Sequence, residues 1–160
     1  FLLRMFQLVA RRDARAVLVI AGEGPARAGL QAEAEKLGIG PRTRFIGNLD
    51  RERTLNDCYA AADVFVFASR TETQGLVLLE AMAQSRPVVS TACLGTRSVL
   101  TPGSGACVVE ESEADFAAAV CAVLKDRARA RDMGDKARAW AGQWSSASLA
   151  ANMAHLYREL

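Results

Sequence analysis

Four short runs set the terms for what this chain can fold into: AVLVIAG at 16–22, DVFVFAS at 63–69, PVVST at 87–91 and GACVVE at 105–110. Each is apolar at consecutive positions and rich in β-branched or aromatic residues, so each reads as a strand covered on both faces. RTRFIG at 42–47 is a shorter strand stopped by Gly47. Helical stretches separate them. Residues 1–12 form an amphipathic helix; residues 26–37 form one that Gly38 closes; residues 51–62 form one with Leu55, Tyr59 and Ala62 on one face. Residues 75–85 are apolar nearly all round, and 95–100 form a helical turn. Helices at 112–126 and 127–142 are split near Arg127, and a last helix, capped by Ser145 or Ser146, runs to Leu160. Strands that alternate with helices predict a parallel sheet, and right-handed crossovers wind its helices onto both faces. The expected architecture is a doubly wound α/β fold, one domain over residues 1–160.

Several function classes fall away. The formal net charge is +2 and the basic residues are scattered, which gives no footprint for nucleic acid. No apolar run reaches the roughly 20 residues that span a bilayer. Cys58, Cys93, Cys107 and Cys121 form no CxxC pair, and His155 is the one histidine, so a zinc site has no support. Each cysteine lies in or beside an apolar stretch, as a reduced thiol in a cytoplasmic protein does.

In doubly wound sheets ligands bind beyond the carboxyl ends of the strands. The loops to weigh are therefore GEGPAR (22–27), GNLDRER (47–53), SRTETQG (69–75) and TACLGTR (91–97). GEGPAR is an unclosed dinucleotide fingerprint, because Arg27 holds the third glycine position; a tight strand-to-helix turn set by Pro25 accounts for it. SRTETQG says more. A polar loop follows an apolar strand, and Gly75 opens a helix too apolar to face water. That helix must point its N-terminus, with free N–H groups and about half a positive charge, into a crevice at the ligand edge. Glu72 lies just before the helix and Glu80 a turn and a half inside it. An acid on so apolar a helix needs a partner. A ligand hydroxyl pair would serve, with diphosphate at the helix end; so would an ion pair from Glu80 to Arg86, with Glu72 a solvated loop acid.

VIAGEGP, TRFIGNL, YAAADVFVFAS, TETQGLVLLEAMAQSRPVVST and the closing LYREL come in the order and spacing of one family. The chain resembles the C-terminal, Rossmann-like, nucleotide-sugar-binding domain of retaining GT-B glycosyltransferases, group 1 or family four. The resemblance implies a nucleotide-diphosphate sugar as donor and no metal or pyridoxal phosphate. It implies that Glu80 holds the donor ribose and that Glu72, the catalytic-site acid of this half, contacts the hexose. The backbone N–H groups of Gln74, Gly75 and Leu76 would meet hexose and diphosphate. Asn48 and Leu49 would lie against the base, Gly24 and Pro25 would shape the turn beside the diphosphate, and the Thr96 hydroxyl would reach phosphate. Retention would rest on leaving-group stabilisation, not on a glutamate nucleophile. An N-terminal domain beyond this chain would bind a glycan or lipid-linked acceptor, with peripheral membrane association of the full-length protein.

There are departures. The family's first strand, and the Arg and Lys that neutralise the diphosphate, would precede Phe1, which predicts an inactive fragment and, between the strands at 16–22 and 63–69, a gap, a strained sheet or a borrowed strand. Ser85 stands where a glycine is usual, LGTR where a Gly-Gly pair is common, and Val99 where the family has an acid. A degenerate nucleotide-sugar-binding module and a sugar-nucleotide epimerase remain as alternatives. A phosphorylase would need a pyridoxal phosphate lysine, and Lys36, Lys125 and Lys136 lie outside the strand-end loops. Trp140 and Trp144 read as packing anchors, His155 as a surface residue, and 125–138 as a solvated charged face.

Overall fold

The computed structural model describes residues 1–51 and 53–159. Glu52, in the loop expected at the ligand edge, and Leu160, the expected end of the last helix, lie outside the described residues. The alternation holds throughout: α1 (Leu2–Arg12), β1 (Leu18–Ala21), α2 (Arg27–Lys36), β2 (Thr43–Gly47), α3 (Thr54–Ala61), β3 (Phe65–Phe67), α4 (Leu76–Ala83), β4 (Val88–Ser90), α5 (Thr96–Val99), β5 (Ala106–Val108), α6 (Glu113–Lys125), α7 (Arg127–Gly142) and α8 (Ser146–Glu159). A 3₁₀ turn at Gly40–Arg42 leads into β2.

The helix ends follow from their residues. Ser112 accepts the Asp115 N–H at the start of α6. Asp126 is extended, so it ends α6, and its carboxylate then accepts the Arg129 N–H to start α7. That one residue makes the break expected near Arg127. The Ser145 hydroxyl takes the Ser148 N–H at the head of α8.

All strand pairs are parallel, but the ladders fall into two sheets, β1–β2 and β3–β4–β5. Among the described residues no ladder joins β1 to β3. The interruption lies where the resemblance puts a further strand. Apolar packing nevertheless crosses it. Leu18, Ile20 and Phe45 of the first sheet share one cluster with Val66 and Val89 of the second, beneath Leu3, Phe6 and Val9 of α1 and Phe116 and Val120 of α6.

The period of two then sorts the second sheet's other residues. Phe65, Phe67, Val88 and Ala106 turn to the opposite face and pack with Leu78 and Met82 of α4, Val99 of α5 and Ala137 of α7. This is the double covering that the consecutive apolar positions require. The first sheet is covered on one face; Val17, Val19 and Ile46 are exposed on its other side. Trp140 and Trp144 anchor the second cluster, and the Trp140 indole N–H donates to Val99 O at 2.9 Å.

Candidate functional site

Every residue of α4 from Leu76 to Ala83 is apolar except Glu80, and Leu78, Ala81 and Met82 are fully buried against β4, α5 and α7. This burial fixes the helix axis and aims its N-terminus at the carboxyl edge of the sheet. Gly75, in the left-handed region at φ 73°, supplies the turn from loop to helix. A side chain there would also meet Val99 at 3.1 Å.

The N-terminus is already occupied. Glu72 Oε1 accepts the Gln74 N–H at 2.9 Å and the Gly75 N–H at 2.8 Å. These bonds hold the Glu72 carboxyl below its ordinary range. Two of the donors expected to meet a ligand are thus satisfied by the chain's own acid. The loop after β4 buttresses this arrangement. The Gly95 N–H donates to Glu72 O at 3.3 Å, and a Cβ on Gly95 would stand 1.8 Å from Thr73 O. Only glycine permits so close an approach of the two loops.

Thr96 takes part differently from the expectation. It is fully buried, its Oγ1 donates to Cys93 O at 2.6 Å and accepts the Cys93 N–H at 2.8 Å. The hydroxyl closes its own loop in both directions. Leu94, in the position of the usual glycine pair, adopts φ 46° and is exposed. Ser85 adopts φ 56°, so the strain that glycine would avoid is accepted there.

Glu80 sits on the flank of α4 that meets α3. Its Oε2 accepts the Tyr59 hydroxyl at 3.1 Å, and its Oε1 lies 3.3 Å from Arg51 Nη2. The expected alternative partner is elsewhere: the Arg86 guanidinium donates to Gln84 O and Ala62 O, both at 2.8 Å, and closes the turn after α4. Tyr59 is buried, edge-on to Phe65 at 5.4 Å. Burial and the Glu80 charge push its phenol well above the usual tyrosine range. Sequence reasoning put Tyr59 on an apolar helix face and gave Arg51 no role. The signal was present: a lone hydroxyl among Leu55 and Ala62 needs an acceptor, and Glu80 is the acid on the facing helix.

The first sheet contributes a second tied corner. The Gly22 N–H donates to Gly47 O at 2.7 Å, joining the ends of β1 and β2. Arg27, the residue that breaks the glycine fingerprint, pairs with Glu23 and donates to Phe45 O at 3.1 Å. Gly24, Pro25 and Asn48 are exposed beside this corner, and Leu49 is half-buried. Past the ends of β3, β4 and β5 a cavity of about 470 Å³ is lined by Arg70, Cys93, Leu94, Arg97 and Glu111. Arg70 grips Glu111 there with Nε to Oε2 at 2.8 Å and Nη2 to Oε1 at 2.6 Å. Among the described residues no cluster of three or more His, Cys, Asp or Glu side chains could hold a metal ion, and no helix is long and apolar enough to cross a membrane.

Residues 1–140 match the family model described as Glycosyl transferases group 1. The D-inositol 3-phosphate glycosyltransferase 2 of Catenulispora acidiphila is 34% identical over 161 residues, which cover 94% of this chain and 37% of that protein. A GDP-mannose-dependent alpha-(1-6)-phosphatidylinositol monomannoside mannosyltransferase of Mycobacterium tuberculosis is 34% identical over 159 residues, 94% of this chain and 41% of that protein. The chain thus spans well under half the length of these curated relatives. Among solved structures, Anabaena HepE in complex with UDP and glucose superposes with a TM-score of 0.82 at 19% identity, over 98% of this chain and 44% of HepE. At that identity the likeness is one of fold.

Proposed function

The chain belongs to the group 1 glycosyl transferases, and from that membership we propose that it is the donor-binding half of a retaining hexosyltransferase using a nucleotide-diphosphate sugar. The observation that carries this reading is the pair of acids about α4, Glu72 in the loop that caps its N-terminus and Glu80 on the flank facing α3. In this proposal Glu80 receives the ribose hydroxyls, with Arg51 giving way at Oε1. The donor's diphosphate takes over the Gln74 and Gly75 N–H groups from Glu72, with Leu76 alongside. The released Glu72 carboxylate then meets the hexose. An anion replaces an anion at the positive end of the helix, so the helix stays capped throughout.

Asn48 and Leu49 flank the base, and Gly24 and Pro25 border the diphosphate. Bond cleavage places charge on the leaving diphosphate, where preorganised N–H donors stabilise it. The acceptor, a glycan or a lipid-linked sugar, reaches the reaction through the rest of the protein, at the cytoplasmic face of a membrane. Thr96 has no part in this scheme, because its hydroxyl is spent inside its loop.

The test is thermal-shift binding of the whole protein with UDP, GDP, ADP and their sugars, with Glu80→Gln as control. A shift with one nucleotide series that Glu80→Gln reduces supports the reading and names the base. No shift from folded protein with any of them refutes it.

A further inference from the structure

Glu80 reaches its place through one residue whose position nothing in the nucleotide chemistry requires. Tyr59 rises from α3, is 8% exposed, and lays its ring edge-on against Phe65 of β3, which in turn stacks on Phe67 at 6.2 Å. Its hydroxyl ends 3.1 Å from Glu80 Oε2. The ring is buried and braced on Phe65, which with Phe67 packs in the second apolar cluster against α4. The hydroxyl is therefore a fixed donor, held by the sheet, aimed at one oxygen of the carboxylate. Arg51, by contrast, is 73% exposed and approaches the other oxygen from a loop. One partner of Glu80 is rigid and the other is free to leave.

Resting on the proposed role of Glu80 at the ribose, we propose that Tyr59 is a positioning residue that sets the ribose selectivity of the site by locking the Glu80 carboxylate in the plane that meets a 2′,3′-diol. A carboxylate accepts a diol best when both oxygens face it, and one oxygen can take two hydrogen bonds. Tyr59 uses a single lone pair of Oε2 and fixes the rotation of the group. Oε1 and the remaining lone pair of Oε2 are left in a set direction, toward the side that Arg51 now covers. Without the hydroxyl, exposed Arg51 is the partner left to orient Glu80 among the described residues, and its grip on a diol weakens while contacts to base and diphosphate stand.

The experiment is calorimetric titration of the whole protein with UDP, GDP and ADP, each beside its 2′,3′-dideoxy counterpart. The wild type is expected to favour the bound nucleotide over its dideoxy form by roughly ten-fold or more. Tyr59→Phe keeps the ring and its contact with Phe65, so the fold is retained, and the ratio is expected to fall to about two- or three-fold. Dideoxy binding itself should be unchanged. Glu80→Gln, which leaves the tyrosine in place, should lower the ratio similarly, and adding Tyr59→Phe to it should change nothing further. A wild-type ratio preserved in Tyr59→Phe overturns the positioning role while leaving the donor-site reading intact. Additive losses in the double variant overturn it as well, because Tyr59 would then act independently of Glu80. A wild type indifferent to the diol removes the ribose role of Glu80 and this inference with it.

Discussion

Gly95→Ala isolates the contact between the two loops that shape the helix end. The backbone at Gly95 has φ −63°, which any residue accepts, so the substitution adds no backbone strain and the effect is steric. The new Cβ would lie 1.8 Å from Thr73 O, 2.2 Å from Thr73 C and 2.9 Å from Gln74 N. An ordinary contact needs about 3.5 Å, so the loops must part by roughly 1.7 Å, and the obstacle is backbone, which cannot rotate aside. Overpacking of this kind costs about 1–3 kcal/mol. At roughly 2–4 °C per kcal/mol for a domain of this size, the melting temperature should fall by about 2–12 °C. The displaced atoms belong to the segment that carries the Gln74 and Gly75 N–H groups, so nucleotide affinity should drop further than stability alone explains. A displacement of about 1 Å at such a site costs up to roughly a hundred-fold. Differential scanning calorimetry and titration with the nucleotide that binds measure both. Gly29→Ala, where the added methyl group meets nothing within 4 Å on α2, is the control and should stabilise by up to about 1 kcal/mol. A Gly95→Ala protein that melts with the wild type and binds nucleotide equally well would refute the reasoning.

Three further outcomes are expected. Ser85→Gly relieves a left-handed residue at φ 56° and should raise stability by about 1 kcal/mol in chemical denaturation, whereas Ser85→Val should lower it. Glu80→Ala leaves the buried Tyr59 hydroxyl without its acceptor and should cost about 1–3 kcal/mol, while Glu80→Gln keeps an acceptor and should cost less; thermal unfolding separates the two. The Glu72 carboxyl titrates below its ordinary 4.5 when folded, so its contribution is complete above that value and is lost as pH falls through the lower folded value. Glu72→Gln should flatten that acid limb when denaturation midpoints are followed against pH.

The alternation of elements was legible because consecutive apolar residues cannot face water, and the cap at Ser145 was legible because a serine has few other uses at a helix start; the caps at Ser112 and Asp126 emerged only from the structure. The strands came out shorter than their apolar runs. DVFVFAS yields a ladder only at Phe65–Phe67, because strand length is set by the partner's register as well as by composition. The candidate site was half legible. Glu72 and Glu80 could be named from their spacing around Gly75, but their partners could not. Arg86 lies six residues past Glu80, which on a helix points it to a different side, and α4 ends before it at Ala83. Arg51 arrives from another loop, and only the packing of α3 on α4 brings it and Tyr59 to the acid. Nor does sequence show that Glu72 folds back on the N–H groups that follow it. That choice depends on Gly75 turning left-handed and on the loop pressed against it at Gly95.

The break between the two ladders also bears on how this polypeptide behaves in company. A continuous five-stranded sheet has two rims; two sheets of two and three strands have four. Among the described residues β4 alone is paired along both sides, so β1, β2, β3 and β5 each have one side without a ladder partner. Natural rims are guarded by charge, proline or a bulge. Here β1 has a register shift at Ile20/Ala21 but carries only apolar side chains, and Val17 just before it and Val19 within it stand about half exposed. Crowding of such chains should therefore favour strand exchange and co-precipitation over monomeric solution, and occupation of the slot by any properly spaced strand should suppress both.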